Sequence, residues 1–139
     1  YEYHILNREM PDPLRRRDTW HVSFPLDLDS MRKAADYLIG EHDFRSFCSV
    51  HTGVKTTVRT IYELKIEKTG SLITIRIKGN GFLYNMVRII AGTLTEVGRG
   101  FRTPEDVRDV LAAGDRDRAG ATAPARGLIL DRIKYGSDN

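Results

Sequence analysis

The 139-residue sequence predicts an α+β fold in which helices pack on one face of an antiparallel sheet. Three observations carry this. Several short runs alternate apolar and polar residues, three longer segments carry apolar residues at helical spacing, and two strand-like runs are joined by only a short turn. The order along the chain reads β-β-α-β-β-α-α-β, without repeats or low-complexity tracts. With 40% hydrophobic residues, 1–139 has material for one core and is expected to form a single domain.

Tyr1, Tyr3 and Ile5 alternate with Glu2 and His4, which predicts a strand from the first residue. A domain seldom starts in mid-strand, so the chain is expected to be a piece of something longer. "MPDPLRRRD" reads as a loop, because Pro11 and Pro13 lack backbone donors and Arg15, Arg16 and Arg17 are strongly solvated. Trp20, Val22 and Phe24 alternate in a second strand. "DLDSMRKAADYLIG" has an Asp/Ser start, an apolar stripe of Met31, Ala34, Ala35 and Leu38, and Gly40 as a stop, which predicts a helix. "EHDFRSFCSVHTGVKTT" has no clear period and is expected to be a short helical turn followed by a mobile loop. Tyr62, Leu64 and Ile66, then Ile73, Ile75 and Ile77, form two alternating runs around a "KTGS" hairpin turn.

The next helix is expected over roughly 81–97. "RTPEDVRDVLAAG" carries a full set of boundary signals: Thr103 as N-cap, Pro104 at the first position, acids in the first turn and Gly114 as stop. "DRDRAGATAPARG" is then a small-residue loop and "LILDRIKY" a closing strand.

Composition narrows the function classes. A lone Cys48 excludes an internal disulfide, and Cys48 with His51 is spaced like half a metal site but reads as a bystander pair, so no metal is expected. The start of the chain has no signal-peptide pattern, and the longest nearly uncharged run, 79–95, is a poor membrane span because it is short, rich in Gly and Asn, and interrupted by Arg88. A soluble protein of a reducing, cytoplasmic setting is expected. The net charge is only +3, but residues 44–95 hold eight Lys/Arg against Glu63 and Glu67, a net of +6. That concentration suits a polyanion-facing surface, and equally suits ordinary strands with Lys and Arg turned outward.

Arg88 is the one charge between Gly79 and Thr95. At 100° per residue, Phe82, Leu83, Met86, Val87, Ile89, Ile90, Thr93, Leu94 and Val97 share a core-facing arc. The opposite arc holds Gly81, Tyr84, Asn85, Ala91, Gly92 and Thr95, with Arg88 near its centre. These small and neutral residues are expected to line a cleft or interface that admits another backbone or a ligand. A desolvated arginine needs a carboxylate or phosphate, and no acid lies within one helical turn. The partner is therefore a distant Asp or Glu of this chain, another domain or a bound anion. "GNG" at 79–81 falls short of a dinucleotide loop, because Tyr84 occupies the third glycine position. No catalytic constellation is visible.

"IKGNGFLYNMVRIIAGTLTEVGRG", with "YEYHI", "ADYLIGEHDFRSF" and "ATAPARGLILDRIKY" in the same order, resembles the tRNA pseudouridine synthase A family across essentially the whole chain. The resemblance implies a two-domain fold of similar α+β halves around a basic cleft, with this chain as the second half. The family's nucleophilic aspartate lies in a "GRTDAGVH"-type motif of the first half, and no such motif occurs here. By resemblance the arginine of "MVR", here Arg88, pairs with that aspartate. Tyr1, or Tyr3 under a register slip, is the tyrosine near the flipped uracil, and Leu128 packs the floor of the active site.

The implied activity is isomerisation of uridine to pseudouridine in the tRNA anticodon arm, without metal or organic cofactor, by a homodimer. Its partners are tRNA and the N-terminal catalytic half of the same protein, and this half alone is expected to be inactive. Candidate RNA contacts are Arg15, Arg16, Arg17, Arg45 and Lys78, with Asn80 and Phe82 at the strand-to-helix corner. A stand-alone, non-catalytic RNA-binding module of the same fold is the alternative.

Overall fold

The computed structural model describes residues 1–49 and 54–130. Its elements are β1 (Glu2–Asn7), β2 (Trp20–Val22), α1 (Leu28–Asp36), β3 (Gly40–Asp43), β4 (Val58–Thr69), β5 (Leu72–Gly79), α2 (Met86–Gly98), α3 (Pro104–Ala113) and β6 (Leu128–Ile129). Short 3-10 turns occupy Arg45–Phe47, Arg116–Arg118 and Ala125–Gly127.

The sheet runs β2-β1-β5-β4-β3, and β6 joins β1 end to end with β2 along one edge. All pairings are antiparallel except β1 with β2, which is parallel. The β4/β5 hairpin forms where alternation predicts it, except at the start of β4, where a register shift between Ile61 and Glu63 puts Ile61 in the core and leaves Tyr62, the first residue of the predicted alternation, exposed. Thr69 pairs with Leu72 around Gly70 and Ser71, and Gly70 takes φ +60°, as the first residue of a type II′ turn requires.

One face of the sheet contributes Tyr3, Ile5, Ile61, Leu64, Ile66, Ile73, Ile75 and Ile77 to a continuous core. The helices close that core with Met31, Ala34 and Ala35 of α1, the apolar arc of α2, and Val107 and Val110 of α3. The other face carries ion pairs: Arg76 with Glu2 and Glu67, and Lys65 and Lys78 with Glu63. Among the described residues no helix is long and apolar enough to cross a membrane.

Three further expectations change. Gly40 does not stop a helix. Helix α1 ends at Asp36, and Gly40, at φ +103°, opens β3, a strand with no apolar alternation. As an edge strand, β3 is held by its backbone ladder to β4, so charged side chains suffice there. Helix α2 starts at Met86 rather than near 81, because Asn85 takes a left-handed conformation, φ +62°, that breaks helical continuity. In the second predicted strand, Phe24 lies beyond β2 and is exposed. Of the predicted mobile loop and closing strand, residues 50–53 and 131–135 lie outside the described residues.

Candidate active-site cavity

Helix α2 starts differently from its neighbours. Helix α1 is capped by the Asp27 side chain and has Asp29 in its first turn. Helix α3 has a complete capping box between Thr103 and Asp106, with Glu105 beside it. Helix α2 has no side-chain cap and no acid in its first turn, and its third residue is Arg88. A cation there adds to the positive end of the helix dipole, which costs about 0.3–1 kcal/mol at an exposed terminus. Arg88 therefore sits at a helix start rather than mid-helix, and two sources of positive potential coincide.

The arc of small residues is not an open cleft. Ala91, Gly92 and Thr95 are all buried, and Gly92 lies against the backbone of the chain's own 119–123 segment. A Cβ on Gly92 would lie 1.9 Å from the Ala121 carbonyl oxygen, so only glycine admits this backbone. Three backbone N–H groups of the segment donate to the helix: Gly120 N–H to Thr93 Oγ1 at 2.9 Å, Ala121 N–H to Glu96 Oε2 at 3.1 Å and Ala123 N–H to the Arg88 carbonyl at 3.0 Å. Only the Arg88 end of the arc remains open.

The 119–123 segment also orients the arginine. Arg88 Nε donates to the Ala123 carbonyl at 2.8 Å and Nη1 to Asn85 Oδ1 at 3.2 Å. Both acceptors are neutral, and among the described residues no carboxylate pairs with Arg88. The other side of the Asn85 amide donates to Ser49 Oγ at 3.0 Å. These bonds help hold a backbone conformation that costs a non-glycine residue about 1–3 kcal/mol.

Arg88 lines a cavity of about 360 Å3 with Tyr1, Phe82, Asn85, Ala125 and Leu128. The Tyr1 and Phe82 rings meet edge to face, with centroids 5.2 Å apart. Tyr3 lies behind this cavity rather than in it. It is fully buried, its hydroxyl donates to the Pro124 carbonyl at 2.6 Å, and burial pushes its pKa well above the usual tyrosine value against the opposing pull of Arg88 and Arg126. A Cβ on Gly127 would come 2.6 Å from the Tyr3 ring, so that glycine lets Leu128 follow directly behind the tyrosine.

The remaining candidates scatter. Arg15 lies 3.5 Å from Asp18 in the loop between β1 and β2, where Arg16 and Arg17 are exposed. Lys78 is paired with Glu63 on the helix-free face. Asn80 is a structural clasp, since its Oδ1 accepts the Thr60 N–H at 2.9 Å and its own N–H donates to the Thr60 carbonyl. Arg45 lines a second cavity. The central cations are thus divided between ion pairs, loop contacts and cavities.

Among the described residues no group of three or more His, Cys, Asp or Glu side chains could hold a metal ion. His51 lies outside those residues. Sequence reasoning missed the bridging role of Asn85. The available signal was an asparagine, a residue that tolerates left-handed backbone, just ahead of an apolar helical run without an acid in its first turn.

The family model described as tRNA pseudouridine synthase matches residues 34–136. The tRNA pseudouridine synthase A of Brevibacillus brevis is similar at 55% identity over 135 residues, which cover 97% of this chain and 55% of that protein. Those of a Thermoanaerobacter species and of Bacillus subtilis are 50% and 48% identical over the same shares. The chain spans about half the length of the curated relatives it matches.

Proposed function

Because the chain belongs to the tRNA pseudouridine synthase family, we propose that it forms the second half of an enzyme that isomerises uridine to pseudouridine in the tRNA anticodon arm. The observation that carries the reading is Arg88: a guanidinium held by neutral acceptors, at an uncapped helix start, facing a cavity with Tyr1 and Leu128. In the intact protein the nucleophilic aspartate of the other half pairs with Arg88 across the cleft. The target uridine leaves its stack, as chemistry on a base within a paired arm requires. The glycosidic bond breaks, the uracil turns, and a carbon-carbon bond to the ribose closes the reaction. Tyr1 lies beside the uracil and takes part in proton transfer, while Leu128 packs beneath the ring.

The protein's own groups supply this chemistry without metal or organic cofactor. The Arg15–Arg17 loop and Arg45 contribute salt-dependent backbone contacts to tRNA. The intact protein works in the cytoplasm as a homodimer, and this half alone does not catalyse.

The test is pseudouridine formation by the intact protein on tRNA. Truncating one partner of a buried charge pair costs about 2–5 kcal/mol, so Arg88→Ala is expected to slow the reaction at least about 30-fold. Its tRNA affinity should stay within a few-fold of the parent's, whereas replacing Arg15, Arg16 and Arg17 together by alanine should weaken binding. Abolished tRNA binding by a folded Arg88→Ala protein would overturn the pairing.

A further inference from the structure

A second cavity, of about 490 Å3, adjoins the one that holds Arg88, and Leu83 and Tyr84 line both. Its other walls come from residues after β3, residues before β4 and the turn after α3. These segments are tied together below the opening. The buried Ser46 hydroxyl donates to the Val110 carbonyl at 2.7 Å and accepts the Asp115 N–H at 2.8 Å. The Ser49 N–H donates to the Tyr84 carbonyl at 3.2 Å.

Two side chains at this cavity suit a nucleotide. Tyr84 is 61% exposed and offers an aromatic surface, and such rings bind bases by stacking without needing a particular sequence. Arg45 is exposed, and among the described residues its guanidinium has no hydrogen-bond or ion-pair partner. The other arginine in the wall, Arg116, is already committed to the Gly120 carbonyl and Thr122 Oγ1. Asp115 is turned into its own loop, where it accepts the Asp117 N–H at 3.0 Å. Arg45 is therefore the cation left to meet a phosphate.

We propose that this second cavity holds a nucleotide flanking the target uridine, its base against the Tyr84 ring and its phosphate on Arg45. The inference rests on the pseudouridine-forming reading and deepens it. Extruding a base deprives its neighbours of a stacking partner, and Tyr84 replaces that partner for one of them. Asn85 joins the two cavities, because its amide bonds Ser49 on one side and Arg88 on the other.

The experiment is steady-state kinetics of the intact enzyme on a tRNA transcript. Tyr84→Ala is expected to raise KM about tenfold while changing kcat less than about twofold, and Tyr84→Phe, which keeps the stacking surface, should restore KM. Arg45→Ala should raise KM and flatten its salt dependence, as the loss of a phosphate contact requires. An active enzyme whose KM is unchanged by Tyr84→Ala, or is impaired equally by Tyr84→Phe, overturns the subsite while leaving the reaction in place. Failure of the unsubstituted intact protein to form pseudouridine overturns both readings.

Discussion

Replacing Gly92 by alanine sets a helix-propensity gain against a steric clash. Glycine is about 1 kcal/mol worse than alanine inside a helix, so at an open site on α2 the change would stabilise the protein by about that amount. Here the new Cβ would lie 1.9 Å from the Ala121 oxygen, 3.1 Å from its carbonyl carbon and 3.3 Å from the Ala123 nitrogen. These atoms belong to backbone, so no side-chain rotation relieves the overlap and the 119–123 segment must move. Overpacking of this kind costs about 1–3 kcal/mol. The segment is also fastened by four hydrogen bonds to α2, each worth about 0.5–1.5 kcal/mol if lost. Clash and lost bonds together outweigh the gain, and a net loss of about 2–4 kcal/mol is expected. Urea denaturation of Gly92→Ala beside the parent chain measures it, with Gly81→Ala, whose Cβ would meet only the Arg59 side chain at 3.5–3.6 Å, as the comparison variant. Stabilisation by Gly92→Ala would refute the reasoning, because it would mean that the 119–123 backbone does not rest on the helix.

Two further outcomes follow from the same structure. At Asn85, alanine must bear the left-handed backbone at about 1–2 kcal/mol, whereas glycine adopts it freely but brings greater chain entropy. Asn85→Ala should therefore be less stable than Asn85→Gly by about 0.5–1 kcal/mol in urea, and a more stable alanine variant would refute the αL assignment. The Glu2 carboxyl is held below its ordinary value of 4.5 by its hydrogen bond with His4 and then by Arg76. Glu2 therefore binds protons more weakly in the folded chain than in the unfolded one. The stability it contributes is present above the ordinary value and is lost as pH falls through the lower folded value. The urea midpoint of the parent should fall more steeply between about pH 5 and 3 than that of Glu2→Gln, and parallel curves would refute the coupling.

What could be read from the sequence was whatever the chain encodes locally. The α3 boundaries are legible because cap, proline, first-turn acids and terminal glycine lie within one short segment, and each acts on its own helix. The β4/β5 hairpin is legible near its turn for the same reason, since alternation fixes the face and the turn fixes the register, but at the start of β4 a register shift between Ile61 and Glu63 defeats the alternation and turns Tyr62 outward. Strand β3 is not, because "GEHD" becomes a strand only through hydrogen bonds lent by β4. The angular position of Arg88 followed from periodicity, but periodicity cannot say what covers a face. Ala91, Gly92 and Thr95 looked like a cleft wall because small residues admit either a ligand or a backbone, and the backbone that arrives at Gly92 lies some thirty residues further along the chain. Phe82 and Leu83 extended the apparent helix backwards because apolar residues continue its period across a turn that only the φ of Asn85 reveals.

The same covering segment explains why Arg88 is suited to meet an anion. A carboxylate of its own helix would have neutralised the guanidinium. A fully solvated arginine would keep its charge but lose a fixed direction. Here the Ala123 carbonyl and the Asn85 amide oxygen take two of its donor groups, and hydrogen bonds to a charged group are worth about 1.5–3 kcal/mol each. Neutral acceptors orient the group without cancelling its charge. The uncapped start of α2 adds to the positive potential, and no first-turn acid offsets it. An anion entering this cavity meets a directed guanidinium at a helix start, and little reorganisation is needed to receive it. Gly92 therefore serves the site as well as the fold: by admitting 119–123 against the helix, it brings the Ala123 carbonyl to the arginine.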